Sequence, residues 1–171
     1  MNYAQIRKYD IANGPGIRSS IFVTGCKNNC PGCFNKEYQD FDFGNKWTEK
    51  ETREIIEYLK DPEIEGLTLL GGEPMEHPVE LREILLQIKK EVQKNIWVYS
   101  GFTYEIILKD ENKFNLLKEC DFLVDGLFNE SLKDLKLRFR GSSNQRIIDI
   151  KKSLKENKVV LWDQTVKNNF H

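Results

Sequence analysis

The sequence predicts an α/β fold, a partial and open βα barrel whose parallel sheet is covered by outer helices. Two observations predict it. Short β-branched, apolar segments alternate with stretches of helical spacing, the pattern of strands joined by crossover helices. The alternation yields only about four βα units, too few for a closed eight-fold barrel. Glycine-rich turns follow several of the strands, where folds of this class place their ligands.

The elements justify this in order. Arg18 to Thr24, bounded by Gly14-Pro15-Gly16 and Gly25, reads as a buried strand. The polar stretch onward to Lys46 reads as a long loop, and loops of that length are usually functional. Thr48 offers an N-cap with Glu51 three residues on, a capping box, so a helix runs to about Lys60 with Ile55, Ile56 and Leu59 on one face. Gly66 to Leu70 is a second strand, ending in Gly71-Gly72. Pro78 sits where a helix begins, and Leu81, Ile84, Leu85, Ile88 and Val92 repeat at helical spacing. Ile96 to Tyr99 is a third strand, followed by Ser100-Gly101 and a weaker helical stretch through Leu117. Asp121 to Asp125 is a fourth, and Arg146 to Ile150 and Val159 to Trp162 are further strand candidates.

At 171 residues the chain fits one domain. The division expected is a core over residues 1–150 and a lysine- and asparagine-rich tail over 151–171, packed on the core or fraying from it. Lys and Arg number 26 against 27 Asp and Glu, a formal charge of -1, so charge gives no case for nucleic acid or an anionic membrane. Met1 to Asp10 carries charge and no apolar core, unlike a signal peptide. No run approaches the roughly 20 apolar residues of a membrane span. A soluble, cytoplasmic protein is expected.

Cys26, Cys30 and Cys33 form a C-x3-C-x2-C cluster just after the first strand, with Cys120 far away. Such spacing is not a disulfide framework. It lets soft thiolates converge on zinc, copper(I) or an iron–sulfur centre. Structural zinc wants four ligands. His77 and His171, the only histidines, stand at no zinc-finger spacing. Iron–sulfur electron carriers also use four cysteines. Three would leave one iron open to a substrate, as a catalytic metal keeps an open position. A zinc knuckle completed by Cys120 or a histidine, and a plain electron carrier, are the alternatives. Cys120 by itself reads as a small buried hydrophobe.

C-x3-C-x2-C after the first strand resembles the signature of the radical S-adenosylmethionine (SAM) superfamily. The resemblance implies that Cys26, Cys30 and Cys33 hold a [4Fe-4S] cluster whose fourth iron is chelated by SAM. It implies that the barrel is of the radical SAM type. Gly71-Gly72-Glu73-Pro74 is similar to the superfamily's GGE motif, implying contact with the SAM amino group. Gly32, Cys33 and Phe34 would lie along the adenine, and Ser100 would serve the ribose or carboxylate. Three more segments narrow the resemblance. Asn13-Gly14-Pro15-Gly16-Ile17-Arg18 resembles the lead-in of glycyl-radical-enzyme activases. Asp125-Gly126-Leu127-Phe128 and Arg140-Gly141-Ser142-Ser143-Asn144-Gln145 are similar to stretches of the branch that activates anaerobic ribonucleoside-triphosphate reductases.

That branch implies reductive cleavage of SAM to a 5′-deoxyadenosyl radical, which takes a Cα hydrogen from a glycine of the partner reductase. It also implies a flavodoxin or ferredoxin as electron donor. No acid–base residue is required, and none is nominated. Another radical SAM activase, or a small-molecule enzyme of the deazaguanine-synthase type, is the nearest alternative.

Overall fold

The computed structural model describes residues 1–165. The last part of the expected tail, residues 166–171, lies outside the described residues, and His171 with it. The strands are β1 (Asn2–Asp10), β2 (Ile17–Val23), β3 (Asn45–Lys46), β4 (Ile64–Gly71), β5 (Asn95–Ser100), β6 (Phe122–Asp125) and β7 (Arg146–Asp149). They form one open sheet in the order β3-β1-β2-β4-β5-β6-β7. The central four, β2, β4, β5 and β6, are parallel. The flanking pairs β1–β2, β1–β3 and β6–β7 are antiparallel. The all-parallel sheet expected from the sequence is thus corrected to a mixed one, parallel at its centre and antiparallel at both edges.

The predicted helices form where their signals stand. Thr48 caps α1 (Glu49–Leu59), its hydroxyl accepting from the Lys50 N–H while Glu51 receives the Thr48 N–H at 2.7 Å. Pro78 opens α2 (Pro78–Glu91), whose Leu81, Ile84, Leu85 and Ile88 are buried. The weaker helical stretch resolves into α3 (Tyr104–Ile107) and α4 (Glu111–Lys118). A fifth helix, α5 (Ile150–Glu156), begins where the core was expected to end.

Side-chain alternation along the strands divides the molecule into two layers. Ile21, Val23, Leu67, Leu69, Val98 and Leu123 point toward the helices and join residues of α1, α2, α3 and α4 in the main core. The other face carries a smaller aromatic core of Trp97, Phe122, Val124 and Ile147, packed with Tyr99, Phe139 and Trp162. Val159 to Trp162, expected as a strand, contributes only an isolated bridge from Leu161 to Ile148. What anchors this segment is the Trp162 ring, stacked edge-on to Trp97 with centroids 5.1 Å apart.

Arg18, the arginine of the glycine–proline lead-in, is a structural clamp. It is 0% exposed and donates to Thr68 Oγ1 (2.7 Å), the Leu67 carbonyl (2.8 Å) and the Asn95 carbonyl (3.3 Å), so it ties β2 to β4 and β5. Burial among neutral acceptors lowers its pKa to about 10, which leaves it charged at neutral pH. Among the described residues no helix is long and apolar enough to cross a membrane.

Candidate functional site: a cysteine-lined cavity at the strand ends

The carboxyl ends of the parallel strands open onto one cavity of about 640 Å³, on the sheet face turned away from the helices. Phe22, Leu70 and Tyr99 supply its floor, and Gly71-Gly72, Ser100-Gly101 and Gly126 its strand-end rim. This is where parallel α/β folds place ligands. The volume falls in the range of small-molecule sites.

The cysteine loop is closed by backbone pairing. The N–H groups of Gly25 and Cys26 donate to the carbonyls of Tyr38 and Gln39 at 2.8 and 3.0 Å, and the Cys33 N–H donates to the Cys30 carbonyl at 3.2 Å. Cys26, Cys30 and Cys33 all line the cavity. Burial raises the Cys26 thiol to about 11 and raises Cys30 in the same direction. A metal centre bound here must therefore displace protons from the thiols. Among the described residues no three His, Cys, Asp or Glu side chains stand as a ready single-ion ligand set.

Among the described residues, the candidates for a fourth ligand stand elsewhere. Cys120 is fully buried in the main core, on the helix side of the sheet, its thiol raised further by burial. His77 is held on the Thr24 carbonyl at 2.7 Å and is not among the residues lining the cavity. Three soft thiol donors line the cavity, the donor type that iron–sulfur centres take.

The glycine–glycine–glutamate turn docks onto this loop. The Gly72 N–H donates to Val23 and the Glu73 N–H to Gly25, at 2.8 and 2.9 Å. Gly71 has φ +111°, and a side chain there would strike the Val23 backbone at 2.5 Å. Glu73 is 1% exposed, and its carboxylate is already committed inside the protein. It accepts from the Met75 N–H (2.9 Å), the Gly101 N–H (2.7 Å) and Asn28 Nδ2 (3.1 Å). Burial raises its pKa, opposed by these donors. Glu73 thus joins its own turn, the end of β5 and the cysteine loop. That role was not visible in the sequence, because Asn28 lies between two cysteines and carries no motif signal.

Of the other predicted residues, Phe34 lines the cavity at 64% exposure, and Ser100 lines it while its hydroxyl accepts the Phe102 N–H at 3.0 Å. Gly32 is the exception. It is exposed and faces Glu130, outside the cavity lining. Sequence reasoning gave Asn13 only as part of the lead-in and assigned no place to Arg7 or Leu135, and all three line the cavity. Arg7 lies on β1, a strand the composition concealed, and its guanidinium sits 4.6 Å over the Phe22 ring.

An open α/β sheet whose parallel strand ends carry three thiols around a ligand-sized cavity defines an iron–sulfur type of α/β protein. Residues 12–148 match the family model for a 4Fe-4S single cluster domain. The chain is also 40% identical over 154 residues to the anaerobic ribonucleoside-triphosphate reductase-activating protein of Pasteurella multocida, covering 86% of this chain and 96% of that protein. It is 39% identical to the protein of that name from Escherichia coli K12, over 85% and 96% of the two chains. For the one from enterobacteria phage T4 the figures are 35%, 86% and 93%. The chain belongs to the family of anaerobic ribonucleoside-triphosphate reductase-activating proteins.

Proposed function

We propose that this chain activates an anaerobic ribonucleoside-triphosphate reductase by installing a glycyl radical in it, with Cys26, Cys30 and Cys33 as ligands of a [4Fe-4S] cluster. Bound there, the cluster would supply one electron for reductive cleavage of SAM to methionine and a 5′-deoxyadenosyl radical, the species that would take a glycine Cα hydrogen from the reductase. The observation that carries the reading is that all three thiols line one strand-end cavity.

The remaining residues bind, orient and exclude water. The Gly71-Gly72 turn brings bare backbone to the cavity for the SAM amino group, and Glu73 fixes that turn against the cysteine loop. Ser100 stands at the end of β5 for the ribose or carboxylate. Phe34 and Phe128, with ring centroids 5.1 Å apart, form an aromatic wall beside the last cysteine that suits an adenine. Phe22, Leu70 and Tyr99 keep the floor apolar, which protects a reactive radical from solvent.

The sheet stays open, and the cavity lies on the face turned away from the main helical core, which supports the partial barrel of the radical SAM type. The reductase glycine enters on that side, so the partner closes the site. A flavodoxin or ferredoxin delivers the electron. The setting is the cytoplasm, where reducing conditions keep thiols free to ligate.

The test is anaerobic reconstitution with iron and sulfide, then reduction in the presence of SAM and the reductase. The wild type should take up about four irons per chain, release 5′-deoxyadenosine and produce a glycyl doublet in the electron paramagnetic resonance spectrum. Cys30→Ala should lose iron and all release. A variant that still cleaved SAM would refute the ligand assignment.

A further inference from the structure

Strands β6 and β7 pair directly, Asp125 opposite Arg146, and a turn of about 2–5 residues would join such a pair. The chain instead devotes the whole of 126–145 to the connection. Loops of that length in a compact domain are usually functional or disordered. This one is braced. Asn144 Nδ2 donates to the Leu127 carbonyl at 2.8 Å, the Ser143 N–H to the Leu132 carbonyl at 3.0 Å, and the Asn129 N–H to Ser142 Oγ at 3.1 Å. Phe139 packs against the aromatic core, which fixes the far end of the loop to the sheet.

The loop forms one lip of the cavity, which it lines with Asp134, Leu135, Leu137, Phe139 and Arg140. At its tip, Asp134 Oδ1 accepts the Lys136 N–H at 2.9 Å and closes a turn around Leu135. That leucine is 87% exposed, more than any other large apolar side chain among the described residues. Leu127 and Leu132 on the same loop are exposed too. Apolar side chains gathered at the mouth of a cavity mark a contact surface.

The charge of the lip is one-sided. Residues 126–145 hold four basic side chains to two acidic ones, in a chain of net charge -1. Lys133, Lys136 and Arg138 are exposed, and among the described residues none of them is ion-paired with a carboxylate. Lys133 lies instead over the Phe34 ring, 5.1 Å from its centroid. An apolar centre rimmed by unpaired cations fits a protein face that sets carboxylates around an apolar side chain.

We propose that residues 127–140 are the docking surface for the reductase, with Leu135 as the apolar anchor and Lys133, Lys136 and Arg138 as the charged rim. The inference rests on the reading of the chain as the reductase's activase. A glycine that reaches this cavity is carried past the lip, so the protein that bears it covers Leu135. An electron donor has no need of the cavity mouth, and seated there it would bar the glycine. The reductase segment that docks here presents carboxylates to the rim.

Leu135→Ser and Lys136→Glu test this, with binding of the reductase to the reconstituted full chain measured at low and at high salt. Leu135→Ser should weaken binding about tenfold or more at both salts. Lys136→Glu should weaken it several-fold at low salt and converge on the wild type at high salt, since an exposed charge is screened. Without reductase, Lys136→Glu should release 5′-deoxyadenosine as the wild type does. Lys90→Glu, in the last turn of α2, makes the same change of charge away from the lip and should bind as the wild type does.

Wild-type affinity in either lip variant, or an equal loss in Lys90→Glu, overturns the proposal. So does a loss confined to reduction by flavodoxin or to self-association of the chain, which would give the lip to the electron donor or to a second copy. If Leu135→Ser does not fold, Lys136→Glu decides alone. A wild type that neither binds the reductase nor forms the glycyl radical sinks instead the activase reading beneath it.

Discussion

Asp10 closes β1 at 4% exposure, and its carboxylate accepts from the Ala12 N–H (2.9 Å), Asn13 Nδ2 (2.8 Å) and Ser20 Oγ (2.7 Å). Burial pushes its pKa up, but these donors and the nearby Arg7 outweigh it and hold it below the ordinary carboxylate value. A group depressed in the folded state contributes stability above its unfolded pKa of about 3.9, and that stability drains away as pH falls through the folded value. Asp10→Asn should therefore lower stability by about 1–3 kcal/mol at neutral pH. Urea titrations should show the gap from wild type closing below about pH 4. A gap independent of pH would mean that the carboxylate charge is irrelevant there. Ala12 and Asn13 line the cavity, so this single carboxylate also shapes its rim. None of this was legible from the sequence, since an acid before a polar turn has no signature of its own. The cysteine spacing and the paired glycines were legible, because few chemistries need either.

The elements divide by how strongly one face is buried. Strands β2, β4, β5 and β6 were readable because apolar runs bounded by glycine or polar turns have few other uses. Strand β1 was not, since Asn2–Asp10 is half-buried or exposed along nearly its whole length and shows no two-residue alternation. Its place is fixed by antiparallel pairing with β2, a long-range contact that local pattern does not encode. The same holds for β7, legible as a strand but not as an antiparallel one. Helix α1 was the clearest, as its cap and its buried face agree. Thr48→Ala should cost about 1 kcal/mol in chemical denaturation, with no change in iron uptake. A loss of iron as well would tie α1 to the cysteine loop more closely than its packing indicates.

At the scale of the whole molecule, the sheet carries two cores of different chemistry. The aliphatic core beneath the helices gives the fold its stability. The aromatic one lies on the ligand face, with Tyr99 both packed against it and lining the cavity, its hydroxyl donating to the Phe139 carbonyl at 2.7 Å. Trp162, from the segment after the expected core boundary, completes it. That boundary, read from composition, passes through the start of α5.

The placement of Trp97 and Trp162 has a practical corollary. Two of the three tryptophans sit on the ligand face, and iron–sulfur centres absorb broadly where indoles emit. Filling the site should therefore dim the ultraviolet emission of the chain, and stripping the metal with a chelator should bring the light back. Trp47, packed against Tyr3 across the antiparallel edge of the sheet, supplies a steadier background. Undiminished emission in a fully loaded sample would mean that the indoles and the inorganic centre lie too far apart to exchange energy.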